Sequence, residues 1–233
     1  MTPAPIAVAL DAPSLAVACE WAQQTAPYVE CLKVGLQAYL RDGAPGVARI
    51  RAAAGDSSPA LFLDLKLHDI PNTVAGAANS VAEIAPDFLT VHASGGQAMI
   101  SAAVGALPNT RITAVTLLTS LSEQDLADIG LVGSPIEVVV RLAKLSVDAG
   151  AKAIVCSPQE VSAVRAAVPT DIILITPGVR PANSESSDQR RVATPEQALK
   201  DGADLLVVGR PITAASDPGA AAQELASQLH LSR

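Results

Sequence analysis

At 233 residues with 49% hydrophobic content, the chain can bury a large core, and its length is ordinary for one barrel-sized unit. Sixteen basic against 23 acidic residues give a net charge of -7, which disfavours nucleic acid or an anionic membrane as partner, so an anionic ligand needs a local basic patch. Five scattered aromatics (Trp21, Tyr28, Tyr39, Phe62, Phe88) make no base-stacking platform; Cys19, Cys31 and Cys156 lack a C-x-x-C pattern and read as reduced, mostly buried thiols of a cytoplasmic protein; no signal-like segment precedes Ile6 and no apolar run reaches membrane-spanning length.

In chain order, one unit repeats. Pro5 to Leu10 is a short apolar strand ending at Asp11, followed by an amphipathic helix from about Ser14 to Thr25. Glu30 to Gly35 is a second strand carrying Lys33, with a helix from about Pro45 to Ala54. Ala60 to Leu65 is the third, and its helix starts at Asn72 or Thr73 and reaches Ala85. Phe88 to His92 is the fourth, with Gly95-Gly96 leading into a helix, and Arg111 to Leu117 is the fifth.

Leu118 to Gly133 reads as the longest irregular connection. Beyond it Ser134, Pro135 and Glu137 spell a capping box for a helix that ends at Ala149-Gly150. Ala153 to Cys156 is the sixth strand, with Pro158 to Ala167 helical. Ile172 to Ile175 is the seventh, followed by a polar loop from Pro177 to Ala193 and a helix opened by Thr194-Pro195-Glu196-Gln197. Leu205 to Val208 is the eighth, ending at Gly209-Arg210-Pro211. Eight strand-helix alternations with short apolar strands predict a (β/α)8 barrel as a single catalytic domain over residues 1–233. An open doubly wound sheet is the competitor; it is disfavoured because no Gly-x-Gly-x-x-Gly turn follows the first strand and charged residues end strands from Asp11 to Arg210.

A barrel brings its strand ends to one mouth, so Asp11, Lys33, Asp64, Lys66, His92, Thr119, Pro177 and Arg210 are expected as neighbours. The densest chemistry is Phe62 to Val74. Strand alternation puts Leu63, Leu65 and Leu67 on one face and Asp64 and Lys66 on the other, and Pro71 turns the chain just after Asp69. Lysines beside the carboxylates, without a Cys or His cluster, fit neither a zinc nor a magnesium site. His92 reads as structural, His68 as facing away from Asp64, and His230 as a solvated tail residue. Four arginines, Arg180, Arg190, Arg191 and Arg210, fall within residues 180–210 of an otherwise acidic chain. That region is the expected phosphate site: Gly209 admits a close backbone approach, Arg210 offers a bidentate contact, and the polar loop from Ala182 to Gln189 is placed to close as a lid.

Taken together, Asp64-x-Lys66-x-x-Asp69-Ile70-Pro71-Asn72-Thr73, Ala9-Leu10-Asp11, Leu32-Lys33-Val34-Gly35, Val91-His92-Ala93-Ser94-Gly95-Gly96, Thr176-Pro177-Gly178-Val179-Arg180, Asp188-Gln189-Arg190-Arg191 and Gly209-Arg210-Pro211 resemble the orotidine 5'-phosphate decarboxylases over nearly the whole chain. Sugar-phosphate decarboxylases and hexulose-phosphate synthases share the Asp-x-Lys-x-x-Asp core, but those relatives carry a metal-binding acid where this chain has Lys33. The resemblance implies cofactor-free and metal-free decarboxylation of orotidine 5'-monophosphate to UMP. It implies Lys66, Asp64, Asp69 and Lys33 as catalytic groups, Asp11 and Lys33 at the ribose, Thr119 and Ser120 at the pyrimidine edge, and Pro177, Arg180, Gln189, Gly209 and Arg210 around the rest of the nucleotide. It further implies a homodimer in which Asp69 and Thr73 enter the partner's site. A metal-dependent sugar-phosphate lyase and a nucleotide-binding barrel without catalysis are the alternatives.

Overall fold

The computed structural model describes residues 2–180 and 193–231. Eight parallel strands close in sequence order into a barrel: β1 (Ala4–Ala9), β2 (Val29–Gly35), β3 (Ala60–Leu67), β4 (Phe88–His92), β5 (Arg111–Val115), β6 (Ala153–Val155), β7 (Ile173–Pro177) and β8 (Leu205–Val208). The strands are largely buried on both faces, which is why they read as near-continuous apolar runs. Ile6, Val8, Leu32, Val34, Leu61 and Leu63 join the large core between barrel and helices, while Ala7, Cys31, Phe62 and Phe88 belong to the smaller cluster with Ala153, Ile175 and Leu205. Phe62 and Phe88 pack edge-tilted there with centroids 5.7 Å apart.

The helical layer is α1 (Leu15–Thr25), α2 (Leu36–Ala53), α3 (Pro71–Ser80), α4 (Gly96–Ala106), α5 (Glu123–Asp128), α6 (Pro135–Asp148), α7 (Val161–Ala167), α8 (Pro195–Lys200), α9 (Arg210–Thr213) and α10 (Pro218–Leu231). Local cap chemistry sets several of the predicted starts. Ser14 accepts from Val17 N, Ser134 and Glu137 form the reciprocal capping box, and Thr194 accepts from Gln197 N. Among the described residues no helix is long and apolar enough to cross a membrane.

Some boundaries differ from the sequence reading. α2 begins directly after β2 rather than at Pro45, with a break at Gly43 (φ 61°, ψ -162°). Its first half is anchored from outside itself, since Gln37 and Arg41 both donate to the Ala12 carbonyl, at 3.3 and 2.6 Å. α3 starts at Pro71, because a residue at the first helical position has no intrahelical use for an N–H; it ends at Ser80, short of Ala85. The segment from Leu118 to Gly133 contains α5, opened by a capping box between Ser122 and Asp125. α7 starts at Val161, three residues beyond Pro158. His230 is not a free tail residue: it sits in α10, and its Nε2 donates to the Thr2 carbonyl at 2.7 Å, tying the last helix to the chain start.

Candidate active site

The inward-facing residues of β2, β3 and β4 change from apolar to polar toward their C-terminal ends, and Asp11 follows β1. β2 runs Cys31 then Lys33; β3 runs Phe62 then Asp64; β4 runs Phe88 then Thr90. A cavity of about 610 Å³ opens above this layer. Phe62, Val155 and Val207 line it below, and Asp11, Lys33, Asp64 and Lys66 line one side. Thr119, Pro177, Arg180, Gly209 and Arg210 lie around the same cavity, which thereby joins strand ends as far apart along the chain as Asp11 and Arg210, 199 positions. Ser120, Asp69 and Thr73 do not line it. Gln189, with the 182–189 segment, Asp188, Arg190 and Arg191, lies outside the described residues.

Asp64 is the centre of the charge array. Its Oδ2 accepts from Lys33 Nζ at 3.0 Å and from Lys66 Nζ at 2.8 Å, and its Oδ1 accepts from Lys66 Nζ at 2.8 Å and from the Thr90 hydroxyl at 3.0 Å. Lys33 also lies 3.8 Å from Asp11 Oδ2. Burial by itself pushes the Asp64 carboxyl up, but the attraction of Lys33 and Lys66 and their hydrogen bonds outweigh it and hold the pKa down to about 2. Burial pulls the Lys33 ammonium down, and the Asp64 and Asp11 carboxylates reverse this to a net rise. Asp64 and Lys33 therefore stay ion-paired throughout the neutral range. Both sides depend on each other: removing one partner leaves a buried charge uncompensated, which costs about 3–5 kcal/mol in comparable sites.

This array predicts how stability responds to acid. A carboxyl whose folded pKa lies below its unfolded value of about 3.9 stabilises the fold fully above that value and loses its contribution as pH falls toward the folded pKa. The stability gap between the wild-type chain and Asp64→Asn is therefore expected to be widest above pH ~4 and to shrink by the order of 2 kcal/mol as pH drops toward 2. Urea midpoints of both chains across that range measure it, and a gap independent of pH would rule out an ionised, lysine-paired Asp64.

Lys66 reaches this position by a route that alternation does not describe. Its backbone is left-handed, φ 50°, and the pairing of β3 with β4 jumps from Leu63↔Leu89 to Leu67↔Val91. Such a conformation costs an L-residue about 1–2 kcal/mol, and the Lys66 N–H donates to Thr90 Oγ1 at 2.8 Å. The expectation that Asp64 and Lys66 point to one side holds for their charged ends, through a bulge rather than a regular strand. Thr90 is the residue that sequence reading missed, and its signal was a lone hydroxyl in the apolar run Phe88-Leu89-Thr90-Val91. Gln37 also lines the cavity without having been singled out. At Gly35 an added Cβ would sit 2.6 Å from Asp11 Oδ1 and 2.9 Å from Lys33 Nζ, so this position admits no side chain without displacing the array.

Ile70 is extended (φ -59°, ψ 152°) ahead of Pro71, which carries the chain outward from the barrel. Asp69 is exposed, and its Oδ1 accepts from Ile70 N at 2.6 Å, while Thr73 is exposed on the first turn of α3. His92 is half-buried, with the His68 ring 5.3 Å away at a 43° tilt; burial first, then His68 and Lys66, push its pKa down and keep the imidazole neutral near pH 7. Cys31 and Cys156 are buried free thiols and Cys19 is half-buried. Burial pushes the Cys156 thiol up to about 12 and Cys31 in the same direction. Among the described residues no group of three or more His, Cys, Asp and Glu side chains is arranged to hold a metal ion.

Residues 4–225 match the model of the "Orotidine 5'-phosphate decarboxylase / HUMPS family". The orotidine 5'-phosphate decarboxylase of Thermobifida fusca (strain YX) is 62% identical over 226 residues, covering 97% of this chain and 96% of that protein. The enzyme of the same name from Anaeromyxobacter sp. (strain K) is 55% identical over 225 residues, covering 96% of this chain and 97% of the other. The crystal structure of orotidine 5'-phosphate decarboxylase from Lactobacillus acidophilus superposes with a TM-score of 0.82 at 34% identity, over 97% of this chain and 99% of that one.

Proposed function

The chain belongs to the orotidine 5'-phosphate decarboxylase / HUMPS family, and on that premise we propose how its residues divide the work of converting orotidine 5'-monophosphate to UMP and CO2 in pyrimidine biosynthesis. One observation carries the reading: a buried carboxylate held by two lysines, Lys33–Asp64–Lys66, on the wall of a nucleotide-sized cavity. Lys33 occupies the end of β2, where the metal-dependent sugar-phosphate relatives carry an acid, and this supports the pyrimidine nucleotide as substrate.

When the bond from C6 to the carboxyl carbon breaks, its electron pair stays on C6 in the ring plane, outside the π system. The charge must then be stabilised where it forms. Lys66 Nζ supplies a fixed positive charge beside that carbon and afterwards gives it a proton; the ammonium is restored from solvent. Asp64 keeps Lys33 charged and aims both ammonium groups through its hydrogen bonds. Lys33 and Asp11 hold the ribose, and Thr119, which lines the cavity where Ser120 beside it does not, reads the pyrimidine edge. Arg180, Gly209, Arg210 and Gln189 hold the phosphate, with Pro177 shaping the wall beside them. Binding energy from that remote group is used in the transition state. The chain forms one catalytic domain, and the reaction uses neither metal nor cofactor.

The partner arrangement belongs to the same proposal. Asp69 and Thr73 point outward rather than into their own cavity, and Leu36, Leu40, Ile70, Leu118 and Val132 are exposed apolar side chains in the connections and first helical turns that leave β2, β3 and β5. A second copy joined mouth to mouth covers this surface and receives Asp69 beside its Lys66.

A spectrophotometric assay with orotidylate tests the reading directly. Turnover is expected, undiminished by dialysis against EDTA; loss of activity on chelation moves the chain to the metal-dependent branch, and UMP binding without turnover makes it a binding protein. In the same assay Arg210→Ala should lower kcat/KM by about 10- to 100-fold, as for one charge-assisted contact, and leave the slow reaction of a substrate without phosphate unchanged. A large loss on the truncated substrate removes Arg210 from the phosphate.

A further inference from the structure

Thr90 lies in the middle of β4 with no solvent exposure. A buried threonine hydroxyl commonly turns back on its own backbone, but this one bridges two residues of the neighbouring strand, accepting from the Lys66 N–H at 2.8 Å and donating to Asp64 Oδ1 at 3.0 Å. Between the pairs Leu63↔Leu89 and Leu67↔Val91, four steps of β3 run against two of β4, and Thr90 is the residue of β4 that stands opposite this excursion. Within the excursion Lys66 takes its left-handed backbone, a conformation that persists only where the surroundings impose it. A hydroxyl has one proton. With that proton committed to Asp64, the oxygen is turned to accept from Lys66, so each contact orients the other.

We infer that Thr90 is a positioning residue for decarboxylation: its hydroxyl locks the left-handed Lys66 backbone to Asp64, so that the ammonium is held at one place on the cavity wall. The inference rests on the reaction proposed above. Thr90 does not line the cavity, so its loss leaves the binding surface in place and acts on the chemical step.

Thr90→Val keeps the shape and removes the hydroxyl, and Thr90→Ser restores it. The valine chain is expected to lose about 10- to 100-fold in kcat, the cost of a misplaced catalytic group, with KM and UMP affinity within about twofold of wild type. The serine chain should stay within about threefold of wild type in all three. A readout independent of turnover is hydrogen exchange at the Lys66 amide, expected to speed up by about tenfold or more in the valine chain and to remain slow in the serine chain. If the valine chain does not fold, Thr90→Cys, with its weak sulfur donor and acceptor, takes its place in each comparison. A valine kcat within twofold of wild type, a loss shared equally by UMP binding, or an unchanged Lys66 amide overturns the inference. An inactive wild-type chain refutes the reaction instead, and the exchange measurement still decides whether Thr90 holds Lys66.

Discussion

Replacing Lys66 by alanine is expected to abolish turnover of orotidylate while leaving UMP bound within a few-fold of the unaltered chain. Two effects are lost at once. A preorganised charge beside developing negative charge is worth about 10²–10³ in rate for a single donor, and a positioned proton donor contributes about 10²–10⁴, so a fall of at least ~10⁴-fold follows if the two combine. UMP carries no charge on C6 and has little use for the ammonium. The fold should survive, because Asp64 retains Lys33 at 3.0 Å and the Thr90 hydroxyl at 3.0 Å, and alanine removes no packing from the core. Calorimetric UMP binding and single-turnover assays read the two arms separately. Residual decarboxylation above a few per cent, or a parallel collapse of UMP binding, would show that Lys66 is not the group that meets the carbanion.

The second large effect is a rescue. If each copy lends Asp69 to the other, a site consists of Lys66 from one chain and Asp69 from its partner. Asp69→Asn is then nearly inactive by itself, as Lys66→Ala is. Unfolding equal amounts of both and refolding them together makes half of the dimers mixed, and each mixed dimer has one site with both residues and one with neither. About a quarter of wild-type activity should return from two nearly dead parents. Light scattering gives the oligomeric state, and differently tagged chains demonstrate exchange. Exchanged dimers as inactive as the parents would place Asp69 in the service of its own chain. The exposed position of Asp69, with its Oδ1 engaged by Ile70 N rather than by Lys66, is the geometric reason to expect rescue.

The barrel was legible in the chain because its causes are local and repeated. Strands buried on both faces must be short apolar runs, parallel pairing needs a helical crossover after each, and caps such as Ser134 and Thr194 announce helix starts within four residues. The ends of those strands carried their chemistry in plain view, as Asp11, Lys33, Asp64 and Lys66 did. Where tertiary anchors override propensity the reading failed: Leu36 to Asp42 is helical across a Gly43-Pro45 boundary because Gln37 and Arg41 are tied to the Ala12 carbonyl. His230 likewise found its partner at Thr2, a distance along the chain that no local pattern spans.

The sequence by itself determined that Asp11, Lys33, Asp64, Lys66, Thr119, Pro177 and Arg210 share one mouth, since closure of eight parallel strands brings their C-terminal ends together, although His92, expected with them, does not line the cavity. Only the tertiary structure decided how they meet. Alternation places Asp64 but not Lys66, whose left-handed backbone exists because β4 stands beside it and offers Thr90. The ionisation of the site was equally out of reach: burial opposes the charge on Asp64 and Lys33 alike, and the outcome turns on ångström-scale distances among Asp11, Lys33, Asp64 and Lys66. Coulomb energy varies inversely with separation and effective dielectric, and a residue list fixes neither.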